Sequence, residues 1–152
     1  MLERYIKISL IIPDLLSDSR EGVLKELASK ASIEFKTLDE DVVLSALLER
    51  EDIGSTGIEN GIAIPHAKLN DISDTFIVVG RSKKGINFAS LDGKPTHLFF
   101  VLLAPSTSAG GHMKALARLA KVLASAGLKE KLLAAGSAPE IYDALIKADK
   151  TC

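Results

Sequence analysis

Apolar residues fall along this chain in two rhythms. Val23, Leu24, Leu27, Ala28 and Ala31 recur at helical spacing. Asp18 and Glu21 stand just ahead of them at capping-box spacing, which predicts a first helix over residues 19–31. Thr37 and Glu40 repeat that signal before the stripe Val43, Leu44, Leu47 and Leu48, so a second helix ends near Arg50. The other rhythm is a series of short apolar runs. Ile6, Ile8, Leu10, Ile11 and Ile12 predict one imperfect strand within residues 5–16, closed by Pro13. Further runs predict strands over 62–64, 76–80 and 97–104, with a short addition at 85–88. Asp92-Gly93 marks a turn before the most apolar of these runs, the central-strand candidate, which Pro105 ends. Residues 106–111 read as a loop of small side chains. A helix then shows Leu116, Leu119, Ala120 and Leu123 as its inner stripe, with Gly127 as its stop. A short helix covers 128–135, and Ser137 with Glu140 opens a last one containing Ile141, Leu145 and Ile146.

Helices therefore precede and follow a cluster of strands without strict alternation. That order predicts a mixed sheet of four to five strands rather than an all-parallel one. Helices enough for both faces make the class α+β, layered α/β/α. The 152 residues suit a single domain, 1–152, with chain enough for a core. Hydrophobic residues at 47% and charged residues at 26% fit a folded soluble protein. Nineteen basic and 20 acidic residues nearly cancel, and no long basic run offers a nucleic-acid surface. The longest apolar run is too short to span a bilayer, and the first residues lack a signal peptide's pattern. The lone Cys152 excludes an internal disulfide, fits a reducing cytoplasm and reads as an inert thiol.

The chemistry concentrates between Arg50 and Lys68. Glycines 54, 57 and 61 and the pair Ser55-Thr56 break regular structure after Arg50. Ile62-Ala63-Ile64 follows as a buried strand, Pro65 stops it, and His66 comes next. By pattern alone, this is a histidine that caps a strand end and bonds a nearby carbonyl. His112 lies four residues before Leu116, in the first turn of its helix, where N–H groups and the dipole suit an anion and disfavour an imidazolium. By itself it reads as a core-edge histidine. Arg50 has a planar fork of donors for phosphate oxygens, or simply complements its helix's C-terminal dipole. Ser55 and Thr56 either offer donors or only shape their loop. His97 opens a strand and reads as structural or surface; Lys68, Lys83 and Lys84 read as solvated.

The run Gly54-Ser55-Thr56-Gly57-Ile58-Glu59-Asn60-Gly61-Ile62-Ala63-Ile64-Pro65-His66 resembles the active-site signature of the enzyme IIA proteins of the phosphoenolpyruvate-dependent sugar phosphotransferase system. It is most similar to the mannitol/fructose class, which includes the nitrogen-regulatory IIA proteins. Glu59 and Ala67 stand where glycine is common in that class. The resemblance implies a mannitol-type IIA fold, phosphorylation of His66, and active-site roles for His112 and Arg50. It implies transfer from an HPr-type phosphocarrier, in the cytoplasm, with no cofactor, nucleotide or metal. No P-loop pattern ending in Gly-Lys-Ser/Thr and no His-x-x-x-His spacing is present. Two readings follow from the family: a regulator whose partners sense the phosphorylation state, or a sugar-specific IIA passing phosphate to a separate IIB protein.

Overall fold

The computed structural model describes residues 1–108 and 110–152. The loop predicted over 106–111 thus falls partly, at Ala109, outside the described residues. Five strands form one mixed sheet: β1 (Ile11–Ile12), β2 (Ile62–Ala63), β3 (His66–Leu69), β4 (Phe76–Ile86) and β5 (Thr96–Pro105). The order is β1-β4-β5-β2, with β3 also on β5. β4 and β5 are antiparallel, and the remaining pairs are parallel. Helices α1 (Arg20–Glu34) and α2 (Glu40–Ile53) cover one face; α3 (Gly111–Leu123), α4 (Leu128–Ala134) and α5 (Ala138–Thr151) cover the other.

Strict alternation along β5 builds both cores. Leu98, Phe100, Leu102 and Ala104 join the α3–α5 side, while Phe99, Val101 and Leu103 join the α1–α2 side. β4 does the same, with Ile77 and Val79 against Phe76 and Val78. The three-layer arrangement and the mixed sheet agree with the pattern of the sequence.

Several local expectations give way. Residues 5–16 are not one strand. A 3₁₀ turn at Leu2–Arg4 precedes them, another forms at Ile8–Leu10, and only Ile11–Ile12 pair, with Val79 and Gly80. An apolar run reports burial, and here Ile6, Leu10 and Ile11 are buried without a full ladder while Ile8 is exposed. Of the 85–88 strand only Gly85 and Ile86 are extended, as the far end of β4, which runs through an irregularity between Arg81 and Ile86. Gly85 sits there at φ 85°, and a Cβ on it would lie 2.8 Å from Pro95. The helix starts shift by one or two residues. Ser19, not Asp18, accepts from Gly22 N–H, and Asp39, not Thr37, accepts from Asp41 and Val42. Ser137 caps α5 as predicted. Along α3 the buried stripe is Ala115, Leu119, Val122 and Leu123; Ala120 is exposed and Leu116 half-buried. Gly127 lies past the end of α3 and directly precedes α4.

The strand stops before Pro65, as the sequence predicts, with β2 ending at Ala63, yet the chain keeps its place on β5. Ile62 stands opposite Leu98 and His66 opposite Leu102, so one register runs on both sides of the proline. Its carbonyl still accepts from Leu102 N–H at 2.9 Å. The strand pairs with β5 through that side, so the missing proline donor leaves the pairing with Leu102 intact. His66 therefore opens a new strand, β3, in the register that β2 set.

Candidate functional site

Three side chains meet where α2, β3 and α3 converge. The last turn of α2 carries Arg50, the first residue of β3 is His66, and the first turn of α3 holds His112. His66 Nδ1 lies 2.9 Å from the Ile64 carbonyl oxygen. A carbonyl can only accept, so Nδ1 carries the proton. In the neutral ring Nε2 then holds the lone pair, and Arg50 Nε–H donates to it at 3.2 Å. Arg50 is itself steadied by donating from Nη1 to the Gly54 carbonyl at 2.8 Å. The ring of His112 stands 5.4 Å from that of His66, centre to centre.

These groups line a hollow of about 360 Å³ together with Lys68, Ala67 and Ile53. A larger hollow of about 980 Å³, between the first 3₁₀ turn and the Asn70–Phe76 segment, contains none of the three. Burial pushes the pKa of His112 below its ordinary 6.5, and the neighbouring His66 and Lys68 push it the same way. His112 therefore stays uncharged at neutral pH. Two large apolar side chains flank the site in solvent, Ile53 at 84% and Met113 at 63% exposure.

The Ser55 and Thr56 hydroxyls are engaged inside their own loop. Ser55 donates to the Phe88 carbonyl at 2.7 Å and accepts from Gly57 N–H at 3.0 Å. Thr56 donates its hydroxyl to the Glu51 carboxylate and its N–H to the same group at 3.1 Å. Both hydroxyls are thus taken up in shaping the loop. His97 stands apart from the site, with Nδ1 against the Ser82 carbonyl at 2.9 Å. Lys83 and Lys84 are exposed, and Lys83 lies 3.4 Å from Asp14.

The sequence reading passed over three buried charges, Arg81, Glu51 and Asp149, the last paired with Arg118 at 2.6 Å. Arg81, 1% exposed, donates to the carbonyls of Pro13 and Leu132 and so ties β4 to the end of α4. Glu51, 3% exposed, continues the buried line Val43–Leu47 by one more turn of α2. That four-residue spacing was the available signal: a carboxylate standing where an apolar stripe would continue.

An arginine aimed at the free nitrogen of an anchored imidazole, with an uncharged second imidazole alongside, suits a histidine-centred phosphoryl-transfer protein. The comparisons agree on the class. The chain matches the family described as "Phosphoenolpyruvate-dependent sugar phosphotransferase system, EIIA 2" over residues 4–148, and it belongs to that family. It is 41% identical over 135 residues to a nitrogen regulatory protein of Bradyrhizobium diazoefficiens, spanning 89% of this chain and 88% of that protein. It is 37% identical over 127 residues to a fructose-specific EIIA component of Haloferax volcanii, spanning 84% and 82%. The crystal structure of nitrogen regulatory protein IIA-Ntr from Neisseria meningitidis superposes with a TM-score of 0.86 at 30% identity, spanning 93% of this chain and 97% of that one. As a IIA protein of this system the chain belongs to phosphoryl transfer. Among the described residues no helix is long and apolar enough to cross a membrane.

Proposed function

We propose that this chain, as one IIA domain, accepts a phosphoryl group on His66 Nε2 from the phosphohistidine of an HPr-type phosphocarrier in the cytoplasm. The observation that carries the reading is the bond from Arg50 Nε to His66 Nε2 at 3.2 Å, with Nδ1 held on the Ile64 carbonyl at 2.9 Å. The lone pair on Nε2 attacks phosphorus, a P–N bond forms to His66, and the donor's P–N bond breaks and returns its electron pair to the donor imidazole. Arg50 is in place to move from the nitrogen to the phosphoryl oxygens, where its fork matches their geometry. His112 adds a neutral donor from the first turn of α3, whose positive dipole end favours the arriving charge. Exposed Ile53 and Met113 give a protein donor apolar surface to seat against.

Incubation with phosphoenolpyruvate, enzyme I and HPr tests this. A mass gain of one acid-labile phosphoryl group is expected, absent in His66→Ala. An unchanged mass in the wild type would sink the reading.

The regulatory use of that phosphate is the reading we favour, supported by the 41% identity to a nitrogen regulatory protein. New negative charge beside Ile53 and Met113 would change which target proteins dock there. The 37% identity to a fructose-specific component favours a second reading, passage to a separate IIB protein for sugar uptake. Phosphoryl passage to IIB proteins of the same cell separates the two. A pulldown that differs between His66→Ala and His66→Asp supports the regulator.

A further inference from the structure

We propose that Glu51 is a positioning residue for phosphoryl transfer: its buried carboxylate, acting through Thr56, sets both carbonyls that hold the reacting pair. The inference rests on the phosphoacceptor reading of His66.

A carboxylate at 3% exposure is costly to bury unless its oxygens are bonded. Among the described residues no ion pair with Glu51 is found. Both oxygens are instead used by one residue. Oε2 accepts Thr56 N–H at 3.1 Å, and Oε1 accepts the Thr56 hydroxyl. Thr56 is itself only 5% exposed, so these charge-assisted bonds are shielded from water.

Two branches lead from this clamp to the site. Along the first, the Thr56 carbonyl accepts Ile64 N–H at 3.1 Å, and the Ile64 carbonyl accepts His66 Nδ1–H at 2.9 Å. Glu51 thus fixes the peptide that fixes the ring, and through it the tautomer that leaves Nε2 free. Along the second, the clamp pins both ends of the segment between Glu51 and Thr56. Gly54 N–H bonds back to the Glu51 carbonyl at 3.1 Å, and the Gly54 carbonyl accepts Arg50 Nη1 at 2.8 Å. One buried carboxylate therefore sets the attacking nitrogen and the cation that faces it. An apolar residue would extend the Val43–Leu47 stripe without desolvating a charge, yet it would leave Thr56 N–H and the loop unanchored.

Glu51→Gln and Thr56→Val remove the charge and the hydroxyl in turn with little change of shape. Two measurements are made on each. The first is single-turnover labelling by phospho-HPr as a function of donor concentration. The second is the ¹⁵N shift of the His66 ring nitrogens, which reports the tautomer and needs no donor. Expected are a rate lowered by up to about 100-fold at unchanged half-saturating donor, and a ring no longer held in one tautomer. Thr56→Ser, which keeps the hydroxyl, should retain rate and tautomer. Thermal unfolding establishes that each variant is folded at the assay temperature. Wild-type rate and ring shifts in both Glu51→Gln and Thr56→Val would overturn the proposal, as would slowing with unchanged ring shifts. If the wild type takes no phosphoryl group, the phosphoacceptor reading fails by itself, and the ring shifts still decide what Glu51 holds.

Discussion

His66 and His97 are anchored alike and placed apart. Both are half-buried, His66 at the start of β3 and His97 near the start of β5, and both have Nδ1 2.9 Å from a backbone carbonyl. They differ in what the other ring nitrogen meets. His66 Nε2 faces the Arg50 guanidinium and the hollow shared with His112. His97 Nε2 is packed over Gly85, where an added Cβ would stand 2.9 Å from it. An imidazole tied to a carbonyl is thus a common structural device. What makes one of them a candidate acceptor is an open face with a cation and a neutral donor arranged around it.

The largest effect tests that contrast head on. His66→Ala should abolish phosphorylation by phospho-HPr, whereas His97→Ala should label at the wild-type rate; mass spectrometry of both after the same exposure decides. Labelled His66→Ala would mean that another histidine is the acceptor. Next come the groups that distinguish the two surroundings. Arg50→Ala and His112→Ala keep the acceptor, so each should still label, slowed on the order of 100- to 1000-fold. Arg50→Lys should recover only part of the loss, because lysine lacks the planar fork. Stopped reactions over time measure all three.

The His97 side has its own weak point. Gly85→Ala puts a Cβ at φ 85° and against Pro95 and His97, so we expect a loss of about 1–3 kcal/mol of stability with labelling retained in the folded fraction. Thermal melts beside labelling assays read both, and a melting temperature equal to wild type would contradict the packing described. The smallest effect is electrostatic. His112 should titrate below 6.5, because burial and then electrostatic repulsion from the neighbouring His66 and Lys68 oppose its protonation. Its folded pKa is depressed, so the unfolded chain takes up the proton first, and His112 contributes a loss of stability as pH falls through 6.5. His66→Ala should raise its midpoint, phosphorylation of His66 should raise it further, and His97→Ala should leave it in place. An NMR titration of the His112 ring follows each.

Much of this was legible in the chain. The run over 97–104 is apolar almost throughout, as suits a central strand with a core on each face, and the structure places Phe99 and Phe100 on opposite sides. Ser137 caps α5 because a cap needs only its own next three residues. Where expectations slipped, distant partners made the decision. Leu2, Ile6, Leu10 and Ile11 are buried around two 3₁₀ turns, although the run before Pro13 suits a strand. On α3 the neighbours, rather than the side-chain sizes, chose Ala115 and Val122 over Leu116 and Ala120 for the inner face. Arg81 is tolerated inside because carbonyls of Pro13 and Leu132, far off in sequence, accept its protons.

The amino-acid sequence by itself determined the layered class, the helix starts to within two residues, and the family motif that singles out His66. Those features rest on spacing and caps, which act over a few residues. Only the tertiary structure brought Arg50, His66 and His112 together, because that needs β3 in register on β5, with His66 opposite Leu102, beneath the first turn of α3. That meeting depends on contacts between distant segments that no local pattern can encode, whereas Glu51, set against Thr56, stood at a spacing the helix pattern already marked.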